Sequence, residues 1–194
     1  MTIQQKAEYI IGLYQSYGNA DYIGEPVSQI EHMCQCAELA EKQGWDEEMI
    51  LAAFFHDIGH LYEHIAGEKI EYMDTFGTVD HETLGAAFLT RMGFGERLSK
   101  LVASHVNAKR YLVATNPAYV ANLSEASLET LRMQGGPMTD DEAQSFEADP
   151  LHSEYIQLRI WDEQAKQTHV PLPELSRYTK MIIHQLEKNS NDLY

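Results

Sequence analysis

The sequence predicts a single all-α domain, and three observations carry that prediction. Apolar residues recur at three- and four-residue spacing along most of the chain. No stretch alternates apolar and polar residues as a half-buried strand does. Glycine, proline and capping residues fall between the periodic segments. The 194 residues suit one domain, and 44% hydrophobic with 23% charged residues is the ordinary balance of a chain with one core. No repeat, low-complexity tract or flexible linker divides it, so one domain is expected over residues 1–194.

The elements follow in order. Tyr9, Ile10, Leu13 and Tyr14 share a face of a helix over about residues 4–17, which Gly18 ends. The segment from Asp21 to Pro26 reads as a loop. Val27, Ile30, Cys34, Ala37 and Ala40 mark a second helix over about 27–43, stopped by Gly44. The third, about 46–58, is almost wholly apolar from Met49 to Phe55, the pattern of a helix buried on all sides. From about Gly59 to Asp80 the pattern is irregular. Helices are expected again at about 81–92 and 96–105, and Asn116-Pro117 interrupts the next stretch. Ser124 to Met133 is helical, and Gly135-Gly136-Pro137 breaks it. Thr139-Asp140-Asp141-Glu142 is a capping box that opens a short helix. The last two helices, about 150–167 and 173–187, are parted by Pro171 and Pro173.

Charge narrows the partners. A formal net charge of −16 repels a nucleic-acid backbone or an anionic membrane surface. It leaves room for a small anion, because a bound metal reverses the field around itself. The N-terminus lacks a basic stretch followed by an apolar one, and no apolar run approaches the roughly 20 residues that span a bilayer. Cys34 and Cys36 stand two apart on a helix and point to different sides, so no bridge joins them. A reduced, cytoplasmic protein with no obligate protein partner is expected.

Chemistry concentrates in one constellation. Phe55-His56-Asp57-Ile58-Gly59-His60 puts two metal-type ligands at the end of the most apolar helix. Unpaired there, they cost several kcal/mol of desolvation, about 2–7 for a polar group by transfer measurements. His32 sits mid-helix among apolar neighbours, and His81, His105 and Asp162 follow downstream. One histidine on an apolar face is most simply a hydrogen-bonded core residue. The ordered set His, His-Asp, His, His, Asp reads as a metal site, and its nitrogen and oxygen donors suit iron, manganese or another first-row ion. On spacing alone, Lys109 reads as a solvated lysine one turn from His105, and Ser127 and Thr130 share a helix face.

This order of ligands resembles the HD-domain superfamily, and His81 with His105 resembles the members that hold two metals. The likeness narrows at Asp21-Tyr22-Ile23-Gly24-Glu25, at the run from His105 to Val113, at Asn122 to Leu131, at Gln134 to Met138, and at Trp161-Asp162-Glu163 with Lys166-Gln167-Thr168. These segments, spread over about residues 20–170, resemble the PhnZ-like mixed-valent di-iron oxygenases, which cleave carbon–phosphorus bonds. The resemblance implies a helical HD domain with a metal-binding core at about 27–167. It implies two irons as an Fe(II)/Fe(III) pair and O2 as co-substrate. His32, His56, Asp57 and Asp162 would hold the first metal, with Asp57 bridging to a second completed by His81 and His105. His60, Lys109, Ser127 and Thr130 would contact the phosphonate, and Glu25 the ammonium. Tyr22 would occupy an open metal position until substrate arrives. The implied substrate is a small zwitterionic hydroxyphosphonate, 1-hydroxy-2-(amino or trimethylammonio)ethylphosphonate, and the products are phosphate and glycine or glycine betaine.

Residues Leu61 to Gly77 depart from that family pattern, and their aromatics could cage a methylated ammonium by cation–π attraction. Three other readings use the same ligands: a bimetallic phosphohydrolase acting on a nucleotide or small phosphate ester, a non-catalytic HD module, and an oxygenase acting on a polyol.

Overall fold

The computed structural model describes residues 1–22, 24–66 and 80–191. Within them the chain is helical, and the one strand-like feature is an isolated antiparallel bridge between Asp21 and Ser28 that closes the first loop. None of the described helices is long and apolar enough to cross a membrane.

Capping chemistry sets most of the starts. Thr2 with Gln5, Ser28 with Glu31 and Thr139 with Glu142 form capping boxes that open α1 (Ile3–Tyr17), α2 (Gln29–Lys42) and, later, α9 (Asp140–Glu147). Asp46 caps α3 (Glu47–Phe55). α4 (Ile58–Ala66) follows after a two-residue turn, then α5 (His81–Met92), which Gly93 ends in the left-handed region at φ 101°. α6 (Glu96–Thr115) is the longest at 20 residues, and Asn116 caps the short α7 (Pro117–Val120). Ser124 caps α8 (Glu125–Met133), and α10 (His152–Gln164) and α11 (Ser176–Asn191) complete the order.

α3 is the centre of the bundle. Every residue from Met49 to Phe55 is buried, and the helix packs against α2, α6, α10 and α11. Phe54 lies between two parallel rings, Tyr14 of α1 at 4.2 Å and Tyr178 of α11 at 4.0 Å, and the Tyr14 hydroxyl donates to the Phe54 carbonyl. The first and last helices are thereby clamped to the middle one.

Two elements differ from the sequence expectation. The stretch after Gly59 is not irregular throughout, because Ile58–Ala66 is helical. Its regularity comes from tertiary packing on α5 and α1, which a pattern of mixed glycine, histidine and aromatic residues does not advertise. The helix at Glu96 continues ten residues past His105 to Thr115, where Asn116 and Pro117 stop it. The two cysteines are free and buried.

Phe54→Ala should cost about 3–5 kcal/mol, the usual range for emptying a fully buried aromatic site. Urea denaturation would read this as a lower midpoint.

Candidate metal centre

Four imidazoles and two carboxylates meet inside the bundle, all of them buried. α2 supplies His32, the turn between α3 and α4 supplies His56 and Asp57, α5 supplies His81, α6 His105 and α10 Asp162. The His-Asp pair occupies a turn because a continuous helix would send adjacent side chains about 100° apart. Breaking the helix lets both point inward. The turn is held by the His60 amide, which donates to the Asp57 carbonyl at 3.0 Å.

The orientation of each ring is fixed from behind. His56 Nδ1 donates to the Ala53 carbonyl at 2.8 Å, His105 Nδ1 to the Val102 carbonyl at 2.8 Å, and His32 Nδ1 to the Ala165 carbonyl at 2.9 Å. A carbonyl only accepts, so in these three rings Nδ1 is protonated, and in the neutral ring Nε2 presents a bare lone pair. Those lone pairs converge. His32 Nε2 lies 3.0 Å from His56 Nε2 and 3.2 Å from Asp162 Oδ1. Asp57 Oδ2 closes this group at 3.3 Å from His56 Nε2 and 3.6 Å from His32 Nε2. The other oxygen, Asp57 Oδ1, lies 3.2 Å from His81 Nε2 and 3.4 Å from His105 Nε2, which are 3.0 Å apart. Asp57 therefore turns one oxygen to each of two donor groups.

Acceptors crowded this closely repel unless a cation sits among them. Asp57 Oδ2 and Asp162 Oδ1 are buried and have no hydrogen-bond donor among the described residues. Burial opposes ionisation of Asp57, yet positive charge on His56 and donation from His105 and His81 hold it well below the usual carboxylate range. Asp57 in return raises His56 against its own burial, so the cluster draws positive charge to itself. Arg159 and His32 likewise hold Asp162 well below that range against its own burial. Both acids are thus anionic donors. A first-row metal ion at each group fits this all-nitrogen-and-oxygen set. Cys36, one helical turn after His32, lies against His56, but burial raises its thiol above the ordinary range and leaves it outside the donor set.

Glycine makes the second group possible. A Cβ on Gly59 would stand 2.0 Å from the His81 carbonyl oxygen, and a Cβ on Gly85 would meet Gly59 N at 3.1 Å. The start of α4 and the start of α5 touch backbone to backbone, which brings His81 to Asp57. The His60 ring stacks on His81 at 4.1 Å, and its ligand-type atom lies within 4.8 Å of those of Asp57 and His81.

A cavity of about 100 Å³ opens onto both groups. Tyr22, Glu25, His60, Lys109, Ser127 and Thr130 all line it, so the structure brings every residue expected to contact substrate to one place. Lys109 is 3% exposed, not solvated, and its ammonium donates to Thr130 Oγ1 at 2.9 Å. Burial, with the nearby Arg159 charge, pushes the Lys109 ammonium down to about 7. Burial likewise drives His60 down to about 3, so that ring is neutral. Tyr22 stacks on His32 at 4.0 Å, and burial with the charges of Asp57 and Asp162 keeps its phenol protonated. Glu25 is tied by one oxygen, Oε1, to Ser124 Oγ at 2.6 Å and to Lys166 Nζ at 2.8 Å.

Arg159 was absent from the sequence reading, and Lys166 had no role there. Arg159 is buried, lines the cavity, and pairs with Asp162 and Glu163 while its Nε donates to the Tyr119 hydroxyl at 2.8 Å. Its position three residues before Asp162 on one helix was the available signal. Lys166 joins Glu25 to Glu163, and nothing local in the sequence pairs residues 141 positions apart. The expected aromatic cage is not formed by Tyr62, which stacks on Phe88 at 4.4 Å and accepts a hydrogen bond from Arg91. Tyr72 and Phe76 lie outside the described residues.

The HD domain family model matches residues 30–154, a span holding every ligand candidate except Asp162. The chain belongs to the HD-domain family. Its place there is PhnZ-like, shown by two relatives that it matches over most of their length. One is the [1-hydroxy-2-(trimethylamino)ethyl]phosphonate dioxygenase (glycine-betaine-forming) of Leisingera caerulea, 38% identical over 94% of this chain and 91% of the relative. The other is the hydroxymethylphosphonate dioxygenase of Gimesia maris, 37% identical over 90% of this chain and 85% of the relative. An uncharacterized protein of Acanthamoeba polyphaga mimivirus is 41% identical over 98% of this chain and 86% of its own length.

Gly59→Ala should displace His81 and lower the metal bound per chain, measured by elemental analysis. Gly12→Ala, on an open helix face with nothing within 4 Å of the new methyl, is the control. It should be neutral or stabilise by up to about 1 kcal/mol.

Proposed function

We propose that this protein is a di-iron oxygenase that uses O2 to cleave the carbon–phosphorus bond of a 1-hydroxy-2-aminoethylphosphonate, giving phosphate and glycine. The observation that supports it best is the cavity's polarity. Lys109, Thr130 and Ser127 bring donors to its wall, Glu25 brings a carboxylate, and both metal-type donor groups open onto the same space. A molecule that carries an anionic group, a cationic group and a hydroxyl finds a partner for each of them on this wall. Both characterised relatives carry names for dioxygenases of phosphonates hydroxylated on the carbon bound to phosphorus.

Substrate plus O2 contains the same atoms as glycine plus phosphoric acid, so no further reductant is needed. Iron supplies the O2 chemistry when bound, and the protein supplies the geometry. His32, His56, Asp57 and Asp162 would hold one ion, and Asp57, His81 and His105 the other. Lys109, Ser127, Thr130 and His60 orient the phosphonate. Tyr22, stacked on His32 and lining the cavity, would stand where the substrate hydroxyl enters. The buried walls keep bulk water from the reacting carbon.

The ammonium end meets Glu25. Both protein contacts of that carboxylate fall on Oε1, which leaves Oε2 for a substrate N–H among the described residues. A primary ammonium donates hydrogen bonds; a trimethylammonium has none to give and needs an aromatic surface. Tyr22 is the sole aromatic among the described lining residues, so the primary amine is the better fit and glycine the better product than glycine betaine.

Metal-free protein reconstituted anaerobically with Fe(II), then given O2 and the aminophosphonate, should release phosphate and glycine in equal amounts. Phosphate release that continues unchanged under argon sinks the oxygenase reading and favours hydrolysis of a phosphate ester. Glu25→Gln should lower kcat/KM for the amino substrate by about 1.5–3 kcal/mol, the worth of a hydrogen bond to a charged group. Turnover of hydroxymethylphosphonate, which lacks the ammonium, should change far less.

A further inference from the structure

Three of the four inward-facing imidazoles are anchored alike, and the fourth is not. His32, His56 and His105 each donate Nδ1–H to a backbone carbonyl, the last two to the carbonyl three residues earlier in the chain. His81 is the first residue of α5, so no preceding turn of that helix can serve it. Its Nδ1 is buried and has no hydrogen-bond partner among the described residues. The near group is the carboxylate of its neighbour: Glu82 Oε2 lies 3.5 Å from His81 Nδ1, with both side chains largely buried. Stacking on His60 fixes the plane of the His81 ring and keeps that edge turned towards Glu82.

We propose that Glu82 is a positioning residue that takes the Nδ1–H of His81 and makes the two metal positions unequal. This rests on the two-metal reading above. A carboxylate behind a ligating imidazole is a stronger acceptor than a carbonyl, so it draws the Nδ1 proton and makes Nε2 a better donor. The group of Asp57, His81 and His105 is then the one that favours the more highly charged ion. The other group, with two carbonyl-anchored imidazoles, has no such bias. Glu82 does not line the cavity, so its influence passes through His81 and not through substrate contact. An acid in the first turn of a helix also complements the helix dipole, but that role is blind to which metal position is affected.

The test is a titration of metal-free wild type, Glu82→Gln, Glu82→Asp and His81→Ala with Fe(II) under anaerobic conditions, with melting curves of the metal-free forms. His81→Ala identifies which binding step belongs to the second position. In Glu82→Gln the first step should be unchanged and the second weakened about 10–100-fold, the usual cost of losing such a partner. Glu82→Asp should recover part of it, and the ion at the second position should become harder to oxidise in the Gln variant. Equal weakening of both steps with a lower metal-free Tm assigns Glu82 to helix stability and overturns the inference. Two steps of wild-type strength in Glu82→Gln overturn it as well. A wild-type chain that binds one Fe(II) or none refutes the two-metal reading itself, and the inference with it.

Discussion

Two pairs of imidazole nitrogens face one another at 3.0 Å in the middle of this bundle. In three of the four rings Nδ1–H is committed to a carbonyl on the far side, so in the neutral rings lone pair meets lone pair. Such an arrangement is tolerable only around positive charge, and much of the architecture serves to enforce it. α3 is apolar on every side because it must carry His56 and Asp57 into the interior and leave nothing else polar there. The chain turns after Phe55 so that both residues of the pair point the same way. Gly59 and Gly85 let two helix starts touch so that His81 reaches the second oxygen of Asp57.

The same logic explains how so acidic a protein can receive an anion. Its formal charge is −16, yet the cavity wall collects Lys109, Arg159 and Lys166. Their charges are not idle while the cavity awaits substrate. Arg159 holds Asp162 and Glu163, and Lys166 holds Glu25 and Glu163. Lys109 donates to the Thr130 hydroxyl and, among the described residues, pairs with no carboxylate. Burial has weakened its grip on a proton, and an incoming dianion would restore it.

Much of this was legible in the residues. Histidine and aspartate at helical positions surrounded by apolar neighbours are conspicuous, since burial without a partner is costly. The order of the six, with their flanking segments, was enough to name donors that the fold brings together and residues that line the cavity beside them. What the sequence could not show was orientation: which ring nitrogen faces inward depends on carbonyls such as Ala165, 133 residues from His32. Arg159 was obscured because an arginine on a helix is ordinary until its neighbours are known. α4 was obscured because its glycine and histidines break the apolar period that tertiary packing then overrides.

α10 has a consequence for how the protein is made. It carries Asp162, and the residue just after it, Ala165, anchors His32. Lys166 then fastens the early loop through Glu25. A ribosome-bound chain that has released α1 to α6 displays five of the six donors but cannot close the first group, because its last carboxylate is still unmade. The arrangement ties competence to completion: a truncated or stalled product is left with an open, misoriented set of donors and no cavity.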